Sequence, residues 1–427
     1  MKKSILLIFG AIRSLLSQTS PRDGRYILLG VLVLYFLIIF LSSFFMEFHL
    51  FWNYLGVPVP GIQPPFADLR SLLSAVECYQ MGFNVIIDNP CDPRPGVPMT
   101  YPRIWFSLLA SLGVRQSQTL QLGIGLAILF FGAVILVIKR LNRGEAVLYS
   151  VILCSPMVMA GVERGNNDLL IFIILALAIV CRQSKLFLLR FFSYSLIMGT
   201  AILKIYPFCG LITILKESKK AKLWLSVLFT GLFLFYLYLI SEELMLIAMN
   251  VPRATIFSYG YLVVFDQFNT FLSLSGYPDR GMFFVLLPFF VLSSVVTGAF
   301  MYSRRASCST QFFELPAGRE FDFFQVGLLI YMVTFILGHN WDYRLIFLIF
   351  TIPYLLTIIK SDHQSSSLFT LILLGIVATL WLSRLPWYLN ANLDEVVNWI
   401  LFTLFVYLFF VTLPRGPKHS PRNTAVT

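Results

Sequence analysis

The sequence predicts an all-α polytopic membrane protein with about twelve transmembrane helices, within a range of roughly 10–13. Three observations predict it. Hydrophobic residues make up 58% of the 427 and charged residues only 12%, where an ordinary soluble domain carries about 25% charge. The mean hydropathy is +0.80. Apolar runs recur between short polar breaks, and a hydrocarbon core about 30 Å thick needs roughly 20 such residues per helix. Alternating strands of about ten residues, the mark of an outer-membrane barrel, are absent.

The first stretch, MKKSILLIFGAIRSLL, places basic residues ahead of an apolar run as a signal peptide does. Arg13 interrupts it and no small-residue cleavage site follows. Residues 1–25 therefore read as an amphipathic cytoplasmic segment. The expected spans are then about 26–46, 119–138, 146–161, 168–181, 190–203, 206–215, 223–241, 281–302, 323–338, 345–359, 367–383 and 397–413. The fifth and sixth are short and read as broken or partly re-entrant helices around Lys204 and Pro207, tolerated where backbone lines a protein cavity. One transmembrane domain thus covers 26–413, with outer loops at 47–118 and 242–280, and 414–427 reads as a disordered cytoplasmic tail.

Basic residues orient the chain. With both termini cytoplasmic, 22 of the 32 Lys and Arg fall in cytoplasmic segments. The net charge of +11 is then a topology signal, and nothing supports nucleic-acid binding. Cys154, Cys181 and Cys209 lie in or beside spans, whereas Cys78 and Cys91 share the first outer loop. That side is oxidising, so those two form a candidate disulfide.

The unusual polar residues collect on the outer side. They are Asp68, Arg70 and Glu77 in PPFADLRSLLSAVE, Tyr101 and Arg103 in MTYPRIW, the run ERGNND from Glu163 to Asp168, Lys204 and Tyr206 in LKIYP, and His339, Asp342 and Arg344 in GHNWDYRLIF. A lone charge at a helix end is most simply an interfacial anchor. Outer cations, however, run against the positive-inside preference. Arg164, Lys204 and Arg344, each beside a carboxylate or aromatic neighbour, are better explained by an anion that they hold, such as a phosphate. Asp68 follows the Pro-rich approach VPVPGIQPPFADLR, which delivers a carboxylate near the outer bilayer surface.

In order, FADLRSLLSAVECYQMGFNVI, MTYPRIWFSLL, GNNDLLIFIILAL, LKIYPFCGLITIL and NWDYRLIFLIFTIPYLL resemble the motifs of membrane glycosyltransferases of the GT-C fold. The nearest group is family 87, the DUF2029-type polyprenol-phosphate-mannose-dependent mannosyltransferases. The resemblance spans roughly residues 26–360. It implies that Asp68 is the catalytic carboxylate and that Tyr101 and Pro102 represent a Tyr-Pro-Pro pattern, with Arg103 at its third position. Gly165, Asn166 and Asn167 match a small-polar-Asn-Leu pattern, and Asn269 in FDQFNTFLSL echoes an Asn-x-Ser-Leu pattern. The implied donor is a polyprenyl-phosphate sugar, mannose foremost, and the acceptor is lipid- or glycan-linked.

Polyprenyl phosphate is a good leaving group, so a single inverting displacement needs a base and cations but no general acid. Asp68 is expected to take the acceptor proton, across the sugar from the phosphate ligands Arg344, Lys204, Arg164 and Arg103, a separation that avoids an unproductive ion pair. Glu163, Asn166, Asn167, Asp168, Tyr101, Tyr206, Asp342 and Asn269 are expected to contact sugar or shape the site, Glu163 and Asp168 by holding Arg164 and neighbouring cations. His339 reads as an interfacial hydrogen-bonding residue. No cofactor is required by this chemistry, and the carboxylates show no metal-ligand spacing. Competing readings are a lipid-linked saccharide flippase or transporter, which would spread polar residues through the membrane depth, and an O-antigen-type polymerase or ligase, whose major outer loop comes late. The outer loops lack an Asn-x-Ser/Thr acceptor pattern, so a bacterial inner membrane is expected over the ER.

Overall fold

A computed structural model describes residues 23–42, 65–92, 98–138, 141–253, 257–274, 281–306, 318–361, 366–382 and 387–412, with isolated positions between 10 and 57. The expected amphipathic segment lies almost wholly outside these residues, and the expected tail entirely so. Among the described residues the protein is a helical bundle with one two-residue strand pair. Six helices are long and apolar enough to cross a membrane: Arg25–Ser42, Gln116–Val137, Lys219–Leu239, Leu286–Ser303, Asp342–Lys360 and Leu393–Thr412. A seventh crossing forms if Arg143–Leu153 and Pro156–Arg164, bent by 56°, act as one span. The expected spans 190–203, 206–215 and 367–383 fall on shorter apolar helices, Phe187–Leu203, Tyr206–Lys216 and Ser366–Leu382, so by length and composition the described residues give six or seven crossings where about twelve were expected.

Helix α1 (Arg25–Ser42) is followed by α2 (Ala67–Gln80), α3 (Ile104–Ser111) and α4 (Thr119–Val137). Helix α5 (Arg143–Leu153) starts at a reciprocal cap. The Asn142 side chain accepts from the Glu145 N–H at 2.8 Å, and the Glu145 carboxylate accepts from the Asn142 N–H at 2.9 Å. Pro156 occupies the first turn of α6 (Pro156–Arg164), where its missing N–H costs nothing, and it separates α6 from α5. Gly165, at φ 57°, ends α6 in the left-handed region. Two residues later α7 (Asp168–Arg182) begins with an acid in its first turn, and α8 (Phe187–Leu203) follows.

At Lys204 the backbone turns extended, and Pro207 then enters a 3-10 helix, Tyr206–Lys216. The expected break around Lys204 and Pro207 is therefore present. Next come α9 (Lys219–Leu239), α10 (Ser241–Asn250), β1 (Ser258–Tyr259), α11 (Val263–Leu274), α12 (Gly281–Ala306) and α13 (Arg319–Ile336). Strand β2 (Asn340–Trp341) pairs antiparallel with β1, Ser258 opposite Trp341 and Tyr259 opposite Asn340. A second 3-10 helix, Asp342–Thr351, runs into α14 (Ile352–Lys360), and α15 (Ser366–Leu382) and α16 (Trp387–Thr412) complete the bundle. Runs of 3-10 helix beyond 3–4 residues are uncommon, and both of these start at site residues.

Helix α13 is central, packed against both 3-10 helices, α14 and α16. Gly327 permits that approach, since a Cβ there would meet the Phe347 carbonyl oxygen at 2.8 Å. Aromatic stacking fills the interior, with Phe172 on Phe350 at 4.2 Å and Phe335 on Phe402 at 4.4 Å between ring centroids. The outward faces of α1, α4 and α9 stay apolar and exposed, as at Phe40, Leu129 and Phe235. Lipid solvates such faces at no cost.

The segment between α1 and α4 has its own small core of Leu72, Val76, Val85, Ile86, Trp105 and Phe106. Cys78 and Cys91 are bonded, 13 residues apart, as expected. Closing a loop of about 15 residues is worth about 3 kcal/mol. Cys78→Ser is expected to lower the stability of this subdomain by about that much, read as faster hydrogen exchange across 65–114 with unchanged exchange in α13.

Candidate active site

Two ion-pair clusters meet where α2, α6, α7, α8 and the second 3-10 helix converge. The first holds Asp68. Its helix starts under constraint, for Phe66 has φ 71° and ψ 51°, a left-handed conformation costing a non-glycine residue about 1–2 kcal/mol. The Phe66 N–H donates to the Glu163 carbonyl at 3.0 Å. Its ring crowds the space a side chain on Gly123 or Gly165 would need, a Cβ there meeting ring atoms at 2.3 and 3.2 Å. These two glycines let α2 begin directly against α4 and the end of α6. Asp68, in the first turn, then meets Arg164: Nε lies 3.0 Å from both carboxylate oxygens, and Nη2 lies 2.7 Å from Oδ1.

This pairing corrects the sequence expectation that Asp68 stands apart from every cation. Arg164 is the last residue of α6, and the hydrogen bond from Phe66 to the neighbouring carbonyl carries Asp68 to it. The pair keeps partial solvent access, with side-chain exposures of 20% for Arg164 and 13% for Asp68.

The second cluster is built on Asp168, which is fully buried. Its Oδ1 accepts from Lys204 Nζ and from the Tyr206 hydroxyl, each at 2.5 Å, and its Oδ2 accepts from Arg344 Nε at 3.2 Å. Arg344 also donates to the Asn340 side chain. Lys204 Nζ sits 5.3 Å from the centre of the Tyr101 ring and Arg344 lies 5.2 Å over Tyr206, so aromatic faces flank both cations. Asp168 thus holds Lys204 and Arg344; Arg164, which it was expected to hold, belongs to Asp68. Asn166 joins the clusters, donating from Nδ2 to Asp68 at 2.6 Å and accepting from the Asp168 N–H at 2.9 Å.

A cavity of about 280 Å³ opens beside the second cluster, lined by Tyr101, Lys204, Tyr206, His339, Tyr343 and Arg344 among others. Asp68 and Arg164 do not line it. Tyr343, which lines it, is within electrostatic reach of both clusters, of Asp68 and Arg164 and of Asp168 and Arg344. The sequence reading passed over Tyr343, although it stands between Asp342 and Arg344, because a tyrosine at a helix start carries no charge signal. Burial pushes the Tyr101 phenol well above its ordinary value, so it serves as a neutral hydrogen-bonding group at any physiological pH.

Other expected site residues lie elsewhere. Arg103 lines a neighbouring cavity of about 400 Å³ with Tyr79, Phe83 and Phe106, and its backbone N–H donates to Glu243. Asn269, on α11, does not line the 280 Å³ cavity, and neither does buried Asp342, which lies within electrostatic reach of Asp394 on α16. Glu163 is buried near Arg70 and Arg164 and anchors Phe66 through its carbonyl. Asn167 is buried, and its amide oxygen and nitrogen have no hydrogen-bond partner among the described residues. His339 Nε2 lies 2.9 Å from an Asp266 carboxylate oxygen, close enough for an ion pair but without hydrogen-bond geometry. Among the described residues no three His, Cys, Asp or Glu side chains converge on a metal site. No protein-family model, curated protein or solved structure matches the chain.

Removing one partner of a buried ion pair costs about 3–5 kcal/mol, because the other charge stays buried and uncompensated. Asp168→Asn is expected to destabilise the protein by about that amount. Adding Lys204→Met to it is expected to restore part of the loss, as a double-mutant cycle of thermal unfolding would measure.

Proposed function

We propose that this protein is a membrane glycosyltransferase of the GT-C type. In this reading it moves a monosaccharide, mannose foremost, from a polyprenyl-phosphate donor to a lipid- or glycan-linked acceptor at the outer membrane face. The observation that carries the reading is a carboxylate, Asp68, placed next to a cavity whose wall holds Lys204 and Arg344 on a single counter-carboxylate, Asp168. Those three side chains sum to one positive charge. A polyprenyl-phosphate sugar is a phosphodiester with one negative charge, and its product phosphate gains a second as the bond breaks. Cations fixed beside the leaving oxygen stabilise that developing charge most in the transition state.

The displacement balances simply. The acceptor hydroxyl oxygen attacks the anomeric carbon as the carbon–oxygen bond to phosphate breaks. The bonding pair leaves with the phosphate, the acceptor proton goes to Asp68, and the anomeric configuration inverts. Asp68 first has to be freed from Arg164, since a carboxylate holding a bidentate guanidinium is a poor base. The donor phosphate supplies the competing anion, so Arg164 moves toward it as Asp68 turns to the acceptor. Donor binding therefore precedes base activation. Asn166 bridges Asp68 and Asp168 and acts by positioning the base, and the distribution of basic residues supports an orientation with both termini inside.

The test is transfer of radiolabelled sugar from polyprenyl-phosphate mannose, and separately from the glucose and arabinose donors, by purified protein supplied with a host membrane lipid extract. A general base contributes roughly 10²- to 10⁴-fold, so Asp68→Asn is expected to lose about that much turnover while folding normally. Full turnover in that variant would remove Asp68 from the chemistry. Arg344→Gln is expected to raise the donor KM and lower kcat together, because it touches the phosphate in both ground and transition states.

A further inference from the structure

A second large cavity, about 720 Å³, lies at the other end of the bundle. Three elements run from it to the Asp68 site. The bent pair α5–α6 starts beside Glu145 and ends at Arg164, α13 starts at Arg319 and ends just before His339, and the second 3-10 helix with α14 runs from Arg344 to Lys360. The cavity is therefore at the opposite membrane face. It belongs to none of the chemistry above, and its volume falls within the range of small-molecule sites, about 300–1,000 Å³.

Its lining is amphiphilic. Ile135, Leu136, Val180, Pro353 and Leu356 form apolar walls, while Arg25, Arg319, Lys360, Glu145 and Glu320 stand among them. Two of the cations are already matched, Lys360 to Glu145 at 2.5 Å and Arg25 to Asp23 at 2.5 Å. Arg319 differs. Its guanidinium lies over the Phe323 ring at 5.5 Å, and its Nε is buried without a hydrogen-bond partner among the described residues. A buried donor on a permanent cation is costly to leave unmade, and guanidinium pairs best with planar or phosphate oxygens. A free inorganic anion would satisfy the nitrogen yet leave the apolar walls uncovered.

We propose that this cavity binds the headgroup of an anionic glycerophospholipid. Its phosphodiester pairs with Arg319, its headgroup hydroxyls reach the carboxylate side of the cavity, and its glycerol backbone and first acyl carbons lie on Leu136, Val180 and Leu356. The site is a lipid-recognition site distinct from the Asp68 centre, and it stands whether or not the protein transfers sugars.

The experiment titrates short-chain phosphatidylglycerol into the purified full chain, reading thermal unfolding and lipid retention by native mass spectrometry. Short-chain phosphatidylcholine and inorganic phosphate form the comparison arms. Phosphatidylglycerol is expected to raise the unfolding midpoint and to stay bound, with phosphatidylcholine and phosphate giving much smaller shifts. Its Kd is expected to rise at least about tenfold in Arg319→Gln, the scale of one charge-assisted hydrogen bond, and Arg319→Lys is expected to recover part. Leu136→Trp, at a half-exposed wall position that the fold tolerates, is expected to weaken binding with Arg319 intact. Unchanged phosphatidylglycerol affinity in both Arg319→Gln and Leu136→Trp would overturn the site. A full stabilising shift from inorganic phosphate alone would overturn the lipid and leave a small-anion site.

Discussion

A carboxylate with no exposure to solvent has to be met from every side, and the placement of Asp168 organises everything around it. Its donors arrive from three places: Lys204 from the end of α8, Tyr206 from the start of the first 3-10 helix, and Arg344 from the second. All three converge on one carboxylate, whose loss would leave both cations buried without compensation, so the three elements are positioned as a unit. The cavity wall is the outward side of that unit. Lys204 and Arg344 face the cavity because their other side is committed to Asp168. The extended backbone at Lys204 and the proline at 207 are what let a lysine and a tyrosine two residues apart reach the same carboxylate oxygen.

Asp68 is tied to this unit through one amide. Asn166 donates to Asp68 and accepts from the N–H of Asp168, so the first turn of α2 and the first turn of α7 share a bridge. On the far side Phe66 hangs from the carbonyl of Glu163. The left-handed backbone at Phe66 is the consequence: its ring has to enter the gap above Gly123 and Gly165 while the next turn brings Asp68 round to Arg164. Both carboxylates thus hold cations. Asp68–Arg164 is the more exposed pair and so the cheaper one to open.

The opposite end of the bundle repeats the logic with different residues. Buried Asp322, in the first turn of α13, accepts from Arg182 and Gln183 at the end of α7 and from Lys216 at the end of the first 3-10 helix. Asp322 therefore ties the end of α7 to the start of α13, while Asp168 ties the start of α7 to the end of α8 and to the starts of the two long 3-10 helices. Arg319, three residues before Asp322, lines the cavity at that end of the bundle.

Membrane residence, helical class and the pairing of Cys78 with Cys91 were legible in the sequence, because hydropathy and residue type report the solvent each segment meets. Asp68, Arg164, Asn166, Asp168, Lys204, Tyr206 and Arg344 were each legible as unusual for the same reason. Who holds whom was not. Asp68 and Arg164 are 96 residues apart and Asp168 and Arg344 are 176 apart, and their contact depends on the directions in which packed helices deliver their ends. That packing put Arg164 on Asp68, sent Arg103 to a second cavity, and brought Tyr343 within electrostatic reach of both clusters. The sequence by itself determined the solvent and the cast of polar side chains. Only the tertiary structure decided their partners, because an ion pair is set by ångström-scale geometry that no local pattern encodes.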